Sequence, residues 1–245
     1  MFTDIVDLRD FYQSPLGLMA RRLVRARVAE MWPSMTGERV LLLGYGAPLL
    51  RPLAAQAAAI YAFMPAAQGV SYWPREGPNV SALVEIDNLP LADNSIDRVI
   101  TLHALEGMAE PNILLGEVWR VMKSGGRFMT IVPNRRGLWA HSDRTPFGHG
   151  QPYSPSQIKD ALHRQGFLIE RVRQALFAPP VVSRLGLSLA DGIEKYASWL
   201  FPGFGGLLLA EASKQLYAPL APKTSLRHRL VLPLAMPSSG PLPAG

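Results

Sequence analysis

The chain contains no cysteine, and this absence removes several kinds of chemistry at once. Without thiols there is no disulfide framework, no thiolate metal site and no cysteine nucleophile. The first residues also lack the pattern of a signal peptide, because Asp4, Asp7 and Asp10 interrupt them and no apolar segment follows a basic end. The sequence therefore predicts a cytoplasmic protein in a reducing compartment.

Long apolar runs are missing as well. The most apolar stretch, residues 199–210, is shorter than the roughly 20 residues that a membrane-spanning helix needs. It also contains a proline and three glycines, which suit a turn better than a helix. We expect no membrane span and interpret this stretch as a buried turn followed by a strand.

Positive charge is in moderate excess but is not concentrated in one segment of the chain. The 245 residues carry 25 Lys and Arg against 19 Asp and Glu, a net charge of +6, and the basic residues are scattered along the chain. Neither zinc-finger spacing nor an aromatic and basic ribonucleoprotein motif occurs. Nucleic acid is therefore not an expected partner, and solvated helix faces account for most of this charge.

Short apolar runs alternate with helical periods along most of the chain. This alternation indicates right-handed crossovers and a mostly parallel sheet, with a ligand site where the strands end. Helices are predicted over residues 14–35, 49–59 and 112–122. Strands are predicted over residues 39–43, 60–64, 82–86, 98–103 and 127–132.

Two later segments are similar to motifs of a known family. Residues 89–100, LPLADNSIDRVI, resemble its LPF-x-D-x-SFD segment, and residues 117–127, EVWRVMKSGGR, resemble its E-x-x-RVLKPGG segment. Residues 148–167 resemble its late helix and sixth strand. The chain thus resembles a class I S-adenosylmethionine-dependent methyltransferase of the methyltransferase domain 11 type, over about residues 38–175.

This resemblance implies a Rossmann-like α/β sandwich with helices on both faces of the sheet. It also implies S-adenosyl-L-methionine as cofactor and methyl transfer to an unidentified small-molecule acceptor. Gly44 and Gly46 would let backbone approach the ligand, and Glu85 or Asp87 would meet the adenine amine, although capping and solvation explain these two acids equally well. The predicted cofactor-binding residues are Gly44, Tyr45, Gly46, Phe63, Glu85, Asp87 and His103.

The chain departs from the family at the positions that grip the cofactor. Leu42 stands where the first strand has an acid, Pro48 replaces the last glycine of the turn, and residues 61–65 supply no carboxylate for the ribose. Losing both ribose hydrogen bonds would cost about 3 to 5 kcal/mol. The alternative is therefore a cofactor-free scaffold that binds a protein or another ligand. Its aromatic anchors would be Tyr72, Trp73, Trp139 and Phe147.

His103 is the one candidate catalytic residue, as a general base, although a structural histidine at a strand end has the same sequence signature. Methyl transfer depends mainly on in-line placement of the acceptor, so further catalytic residues are not required. His141, Asp143 and His149 match no zinc signature and lie beside Arg144, so no metal site is expected.

The remaining segments are interpreted by position. Residues 133–155 form a lid loop in which Arg135 and Arg136 either bind an anion or are simply solvated. A helical insertion, about residues 177–200, either shapes an acceptor pocket or belongs to the core through Ile193, Tyr196 and Trp199. The predicted organisation is an N-terminal helical segment (1–37), a methyltransferase-like domain (38–217) and a proline-rich basic tail (218–245).

Overall fold

Seven strands form one sheet in the order β3-β2-β1-β4-β5-β7-β6. The computed structural model describes residues 4–73, 78–181, 184–201 and 203–215. The strands are β1 (Arg39–Gly44), β2 (Ala59–Pro65), β3 (Ser81–Val84), β4 (Ile96–Leu102), β5 (Met122–Pro133), β6 (Leu168–Ala175) and β7 (Leu207–Ser213). The first five strands pair in parallel, and β7 lies antiparallel between β5 and β6. This architecture confirms the expected α/β class.

Strand β1 occupies the middle of the parallel part because its sequence is apolar on both faces. Every residue of β1 after Arg39 is buried, and Leu42 pairs with Ala62 of β2 and Ile100 of β4. A continuous apolar run of this kind is stable only when helices cover both sides of the sheet.

Six helices flank the sheet in the described residues. They are α1 (Ile5–Gln13), α2 (Pro15–Met31), α3 (Ala47–Ala54), α4 (Pro111–Val121), α5 (Pro155–Arg164) and α6 (Arg184–Leu200). The predicted helix after the first strand was too long at its end, because residue 59 already belongs to β2. The helix predicted over residues 112–122 ends within one residue of α4, but the strand predicted from residue 127 begins earlier, because β5 starts at Met122.

Helix α1 lies within the N-terminal helical segment predicted over residues 1–37, but a helical period was recognised only from residue 14 onward. Its first turn is capped by Asp4, whose side chain accepts a hydrogen bond from the Val6 backbone at 2.7 Å. Only Leu8 and Tyr12 of this helix are buried. These two residues are four positions apart, so they lie on one narrow face of the helix. The rest of α1 is polar enough to resemble a loop in sequence.

The two family-like motifs form a structural clamp. Glu117 accepts a hydrogen bond from the Leu89 backbone N–H at 2.8 Å and binds the guanidinium of Arg120. Arg120 in turn donates to the carbonyl oxygens of Leu89 and Leu91 and to Asp93. The motifs thus fasten the segment after β3 to α4, which explains why they identify a fold rather than a substrate.

A second polar cluster fixes α2 against the far end of the sheet. Glu211 of β7 is fully buried, and its carboxylate accepts hydrogen bonds from Trp32 and Arg127 at 2.8 Å each and from Arg171 at 2.5 Å. Burial by itself raises the pKa of Glu211, but these three donors outweigh it and hold the pKa below its ordinary value.

The region expected to be a buried turn and strand is only half buried. Strand β7 is fully enclosed, whereas Trp199 is 80% exposed and Phe204 is 60% exposed. The core interpretation of Tyr196 and Trp199 was therefore wrong, because these side chains point away from the packed face of α6. No helix in the described residues is long and apolar enough to cross a membrane. The proline-rich tail lies outside the described residues.

Candidate functional site

The candidate site lies at the carboxyl edge of the parallel strands, beside β1. The chain leaves β1 toward β2 on one side and reaches β4 on the other, so the strand order reverses here and a crevice is expected. Gly44 ends β1 with a φ of +85°, and a Cβ on it would lie 2.3 Å from the Leu102 carbonyl oxygen. Only glycine can make this turn.

The side chain of Leu42, which replaces the acid of the family motif, fills the inner side of the glycine turn. A Cβ placed on Gly46 would lie 2.8 Å from Leu42 Cβ and 2.9 Å from its Cδ1. Leu42 is 1% exposed, so its side chain belongs to the core below the turn. Pro48 sits in the first turn of α3, where a missing backbone N–H costs nothing.

The outer side of the turn is covered by α1. The Tyr12 ring stacks on Tyr45 with 5.6 Å between centroids, and the Tyr12 hydroxyl lies 2.8 Å from His103 Nε2. Phe147 packs against the other face of the imidazole at 4.8 Å between centroids. Sequence reasoning missed Tyr12, whose only signal was its spacing from Leu8.

His103 is the centre of a buried polar cluster. It has a φ of +54°, an uncommon conformation for a residue with a side chain, and such strain is concentrated at functional sites. The Gln68 amide donates to its carbonyl oxygen at 2.9 Å, and Glu106 Oε1 lies 3.4 Å from its Nδ1. If the Tyr12 hydroxyl donates to Nε2, the ring proton must sit on Nδ1, facing Glu106.

Three oxygen atoms in this cluster are buried without a hydrogen-bond partner among the described residues. They are both carboxylate oxygens of Glu106 and Oε1 of Gln68. An unpaired buried acceptor costs about 1 to 3 kcal/mol, so such atoms are rare unless a ligand or water meets them. Burial, followed by the Tyr45 and Glu106 charges, raises the pKa of Tyr12 far above its ordinary range. Tyr12 therefore remains a neutral hydrogen-bond donor at physiological pH.

Residues 133–155, which were predicted to form a lid, lie over this cluster. The Gln151 backbone donates to the Glu106 carbonyl oxygen at 2.7 Å. Burial and the nearby Glu106 charge raise the pKa of Tyr153 to about 12. Trp139 and Phe147 are 0% and 1% exposed, and the Trp139 indole donates to the Ala178 carbonyl at 2.8 Å. Their predicted role as surface anchors was wrong, because both hold the lid from inside.

A separate cavity of about 250 Å³ opens where β2 and β3 end. Both candidate acids, Glu85 and Asp87, line it and face solvent. Phe63 is 6% exposed and packs in the core cluster that also contains Leu43, so it does not line this cavity. The cavity is otherwise lined by Pro65, Ala66, Ala67, Ile86, Met108 and Ile113.

The described residues fit the adenine end of S-adenosylmethionine but not its amino-acid end. The cavity between β2 and β3 offers apolar walls with two carboxylates, which suits a flat base that carries an amino group. The space above the glycine turn, by contrast, is filled by the rings of Tyr12 and Tyr45. The ligand's amino-acid end would fit there only if the Tyr12 side chain moved.

The other predicted residues lie away from this cluster. Arg135 and Arg136 are exposed on the outside of the lid. His141 and His149 interact with backbone carbonyls of Gly137 and Asp143. No group of three potential metal-binding side chains occurs in the part of the chain that the structure describes.

Comparison with known proteins finds similarity to methyltransferases. Residues 41–130 match the model of the family described as "Methyltransferase domain". A curated protein of Mycolicibacterium smegmatis, named "Probable S-adenosylmethionine-dependent methyltransferase", is 28% identical over 130 residues, which are 52% of this chain and 49% of the relative. The chain thus spans about half the length of the curated relative that it matches.

Solved structures share the fold. A chain from the complex of the Haloferax volcanii Trm112 methyltransferase activator with a methyltransferase has a TM-score of 0.58 and 20% identity, over 86% of this chain and 99% of that one. An S-adenosylmethionine-dependent methyltransferase of Mesorhizobium loti has a TM-score of 0.54 and 18% identity, over 83% of this chain and all of that one (100%). The match over residues 41–130 and the order of the strands show that the chain is similar to methyltransferase domains and shares their fold.

Proposed function

We propose that the protein transfers a methyl group from S-adenosylmethionine to a small acceptor at the carboxyl edge of the sheet. One observation carries this proposal. The glycine turn, the cavity with Glu85 and Asp87, and the buried cluster around His103 all lie at the carboxyl edge of the parallel strands. A donor site and an acceptor site would thus be neighbours.

The two ends of the donor would be held by different residues. Glu85 or Asp87 would accept hydrogen bonds from the adenine amine, and the backbone at Gly44 and Gly46 would contact the amino-acid end. When bound, S-adenosylmethionine supplies a methyl carbon on a sulfonium, which an acceptor lone pair attacks in line while the carbon–sulfur electron pair stays on sulfur.

The acceptor would bind beside His103. Once the Tyr12 hydroxyl leaves Nε2, that nitrogen can take the proton that the acceptor loses. The adjacent Glu106 carboxylate would then balance the charge of the imidazolium. In this scheme Glu106 is a positioning residue, because it acts through His103.

Tyr12 would have to swing away before the donor's amino-acid end could bind. Helix α1 makes this movement local, since only Leu8 and Tyr12 bury side chains and the helix ends at the Ser14 cap. The protein would therefore bind its donor with an affinity reduced by the free energy of opening this contact.

Calorimetric titration with S-adenosylmethionine and S-adenosylhomocysteine tests the proposal. We expect saturable binding of one molecule per chain, and weaker binding in the variant Glu85→Gln with Asp87→Asn. The matched control is Glu110→Gln, an exposed acid before α4, which should not change affinity. A heat signal that the paired variant leaves unchanged would disprove the proposed donor pose.

A cofactor-free scaffold is the second candidate function. The specific observation in its favour is that Leu42 and the Tyr12 ring fill both sides of the glycine turn. The same titration separates the two functions, because a scaffold would show no binding with either ligand at millimolar concentration.

A further inference from the structure

A cavity of about 330 Å³ lies between α2 and α3, and no residue of the candidate site lines it. Its volume falls at the lower end of the roughly 300 to 1,000 Å³ that small-molecule sites occupy. Most of the residues around it are apolar, and five of them are buried members of one core cluster: Val28, Trp32, Met35, Leu49 and Leu53. The cavity therefore has an apolar wall that the packing of the core holds in place.

Arg25 is fixed at this cavity by a gap in the hydrogen bonding of α3. Pro52 lies inside α3 and has no backbone N–H, so the carbonyl oxygen of Pro48, four residues earlier, lacks its usual helical donor. Nε of Arg25 donates to that oxygen from α2. This bond joins the two helices and holds the guanidinium beside the apolar wall.

The outer part of this guanidinium has donors but no acceptor. Neither Nη group of Arg25 forms a hydrogen bond or an ion pair with the described residues, although Arg25 is half-buried. Two Nη groups lie in one plane and can donate to the two oxygens of a single carboxylate. Arg25 thus offers a carboxylate site next to an apolar wall.

The charge around Arg25 is positive and is not balanced by an acid. Burial, followed by the charges of Arg21 and Arg51, lowers the pKa of Arg25 from its ordinary value. Neither Arg21 nor Arg51 forms a hydrogen bond or an ion pair with the described residues. An anion at Arg25 would therefore be attracted by three arginines at once.

We propose that this cavity binds a free alkyl carboxylate, an unbranched aliphatic chain that ends in a carboxylate, such as decanoate. The carboxylate would accept hydrogen bonds from both Nη groups of Arg25, and the charges of Arg21 and Arg51 would add to the attraction. The aliphatic chain would lie against the buried side chains of Trp32 and Leu49, where it loses contact with water.

Charge argues against two other occupants of the cavity. The proline-rich segment from residue 218 onward contains three Lys and Arg residues and no acid, so the three arginines would repel it. A second copy that docked through the same cavity by a two-fold axis would bring Arg21, Arg25 and Arg51 of both copies together. A free carboxylate, in contrast, removes the imbalance.

Calorimetric titration of the full-length chain with decanoate, in the absence of S-adenosylmethionine, tests this inference. We expect saturable binding of one decanoate per chain. Each buried CH₂ group should change affinity about fourfold, so octanoate should bind about 15-fold more weakly than decanoate. Decyltrimethylammonium has a comparable chain with a cationic head, and we expect it not to bind.

Two variants locate the ligand. Arg25→Gln should lower affinity for decanoate by about 10- to 150-fold, because the charged donors of the carboxylate are lost. Ala29→Trp replaces an exposed residue at the cavity with a large ring, which should obstruct the aliphatic chain and also weaken binding. This second variant leaves the bond between Arg25 and Pro48 in place.

Arg164→Gln is the matched control. It removes the same charge from an exposed position of α5, a helix that packs in the other core cluster, so it should not alter affinity for decanoate. Thermal unfolding of each variant verifies that the fold is intact.

The inference fails if decanoate shows no saturable binding at millimolar concentration. It also fails if octanoate binds as tightly as decanoate, because the apolar wall then contributes nothing, or if decyltrimethylammonium binds equally well. A dimer in light scattering that Ala29→Trp dissociates would assign the cavity to a second copy instead. None of these outcomes depends on S-adenosylmethionine, so the proposed methyl transfer stands or falls separately.

Discussion

Replacing Tyr12→Phe tests the contact between α1 and the candidate site. The substitution keeps the ring that stacks on Tyr45 and removes only the hydroxyl that lies 2.8 Å from His103 Nε2. His103 is 5% exposed, so water cannot easily replace the lost partner. We expect two opposite effects, a less stable protein and a tighter complex with S-adenosylmethionine.

The size of both effects follows from the same bond. A buried polar atom left without its partner costs about 1 to 3 kcal/mol. For a chain of this length each kcal/mol lowers Tm by about 2 to 4 °C, so a fall of roughly 2 to 12 °C is expected. The same free energy no longer stabilises the closed state, in which the Tyr12 side chain occupies the space that the ligand needs. Apparent affinity should therefore rise by roughly 5- to 150-fold.

Differential scanning calorimetry and ligand titration measure the two effects, with Tyr45→Phe as the matched control. Tyr45 is equally buried at 4% exposure, but its hydroxyl makes no hydrogen bond to the described residues, so its loss should leave Tm unchanged. A Tyr12→Phe protein with unchanged Tm would refute the hydrogen bond. A destabilised variant whose affinity stays the same would show that the Tyr12 ring does not block the donor.

Three other perturbations test residues that stabilise the fold. Gly44→Ala should destabilise the fold by more than Gly37→Ala in chemical denaturation, because both have positive φ but only the Cβ at Gly44 meets backbone, 2.3 Å from the Leu102 oxygen. Glu211→Gln should cost about 2 to 3 kcal/mol in urea unfolding, a moderate loss because both arginine partners are partly solvated. The lowered pKa of Glu211 adds stability above its ordinary value of 4.5 that is lost as pH falls through the folded pKa, so Tm should drop on acidification below about pH 4.5, and less steeply in Glu211→Gln.

The sheet could be predicted because its strands carry their signal locally. Residues 40–43 and 99–102 are buried and mainly apolar, and the glycine turn after β1 marks the carboxyl edge of the parallel strands. Helix α1 could not be predicted in this way. Its two buried side chains give too weak a period, and its stability comes from tertiary contacts with Phe147 and His103.

The candidate site was accessible from sequence only in outline. His103, Glu85 and Asp87 were found because they follow strands, and their roles remain predictions. Tyr12 was missed because the contact spans 91 positions of the chain, and no local pattern encodes such a distance. The direction in which Trp199 points was misjudged because a helix with two apolar faces gives no unique inner side.

The Asn134 amide has a consequence for how the protein can vary. It holds Gly203 and Gly205 beside the end of β5, and β6 ends at Ala175 opposite Leu207, so the segment that contains α6 leaves and rejoins the sheet at one place. Lengthening or exchanging this segment would change loop-closure entropy only slightly. The surface that α6 presents can therefore be remodelled while the sheet and its glycine turn stay as they are.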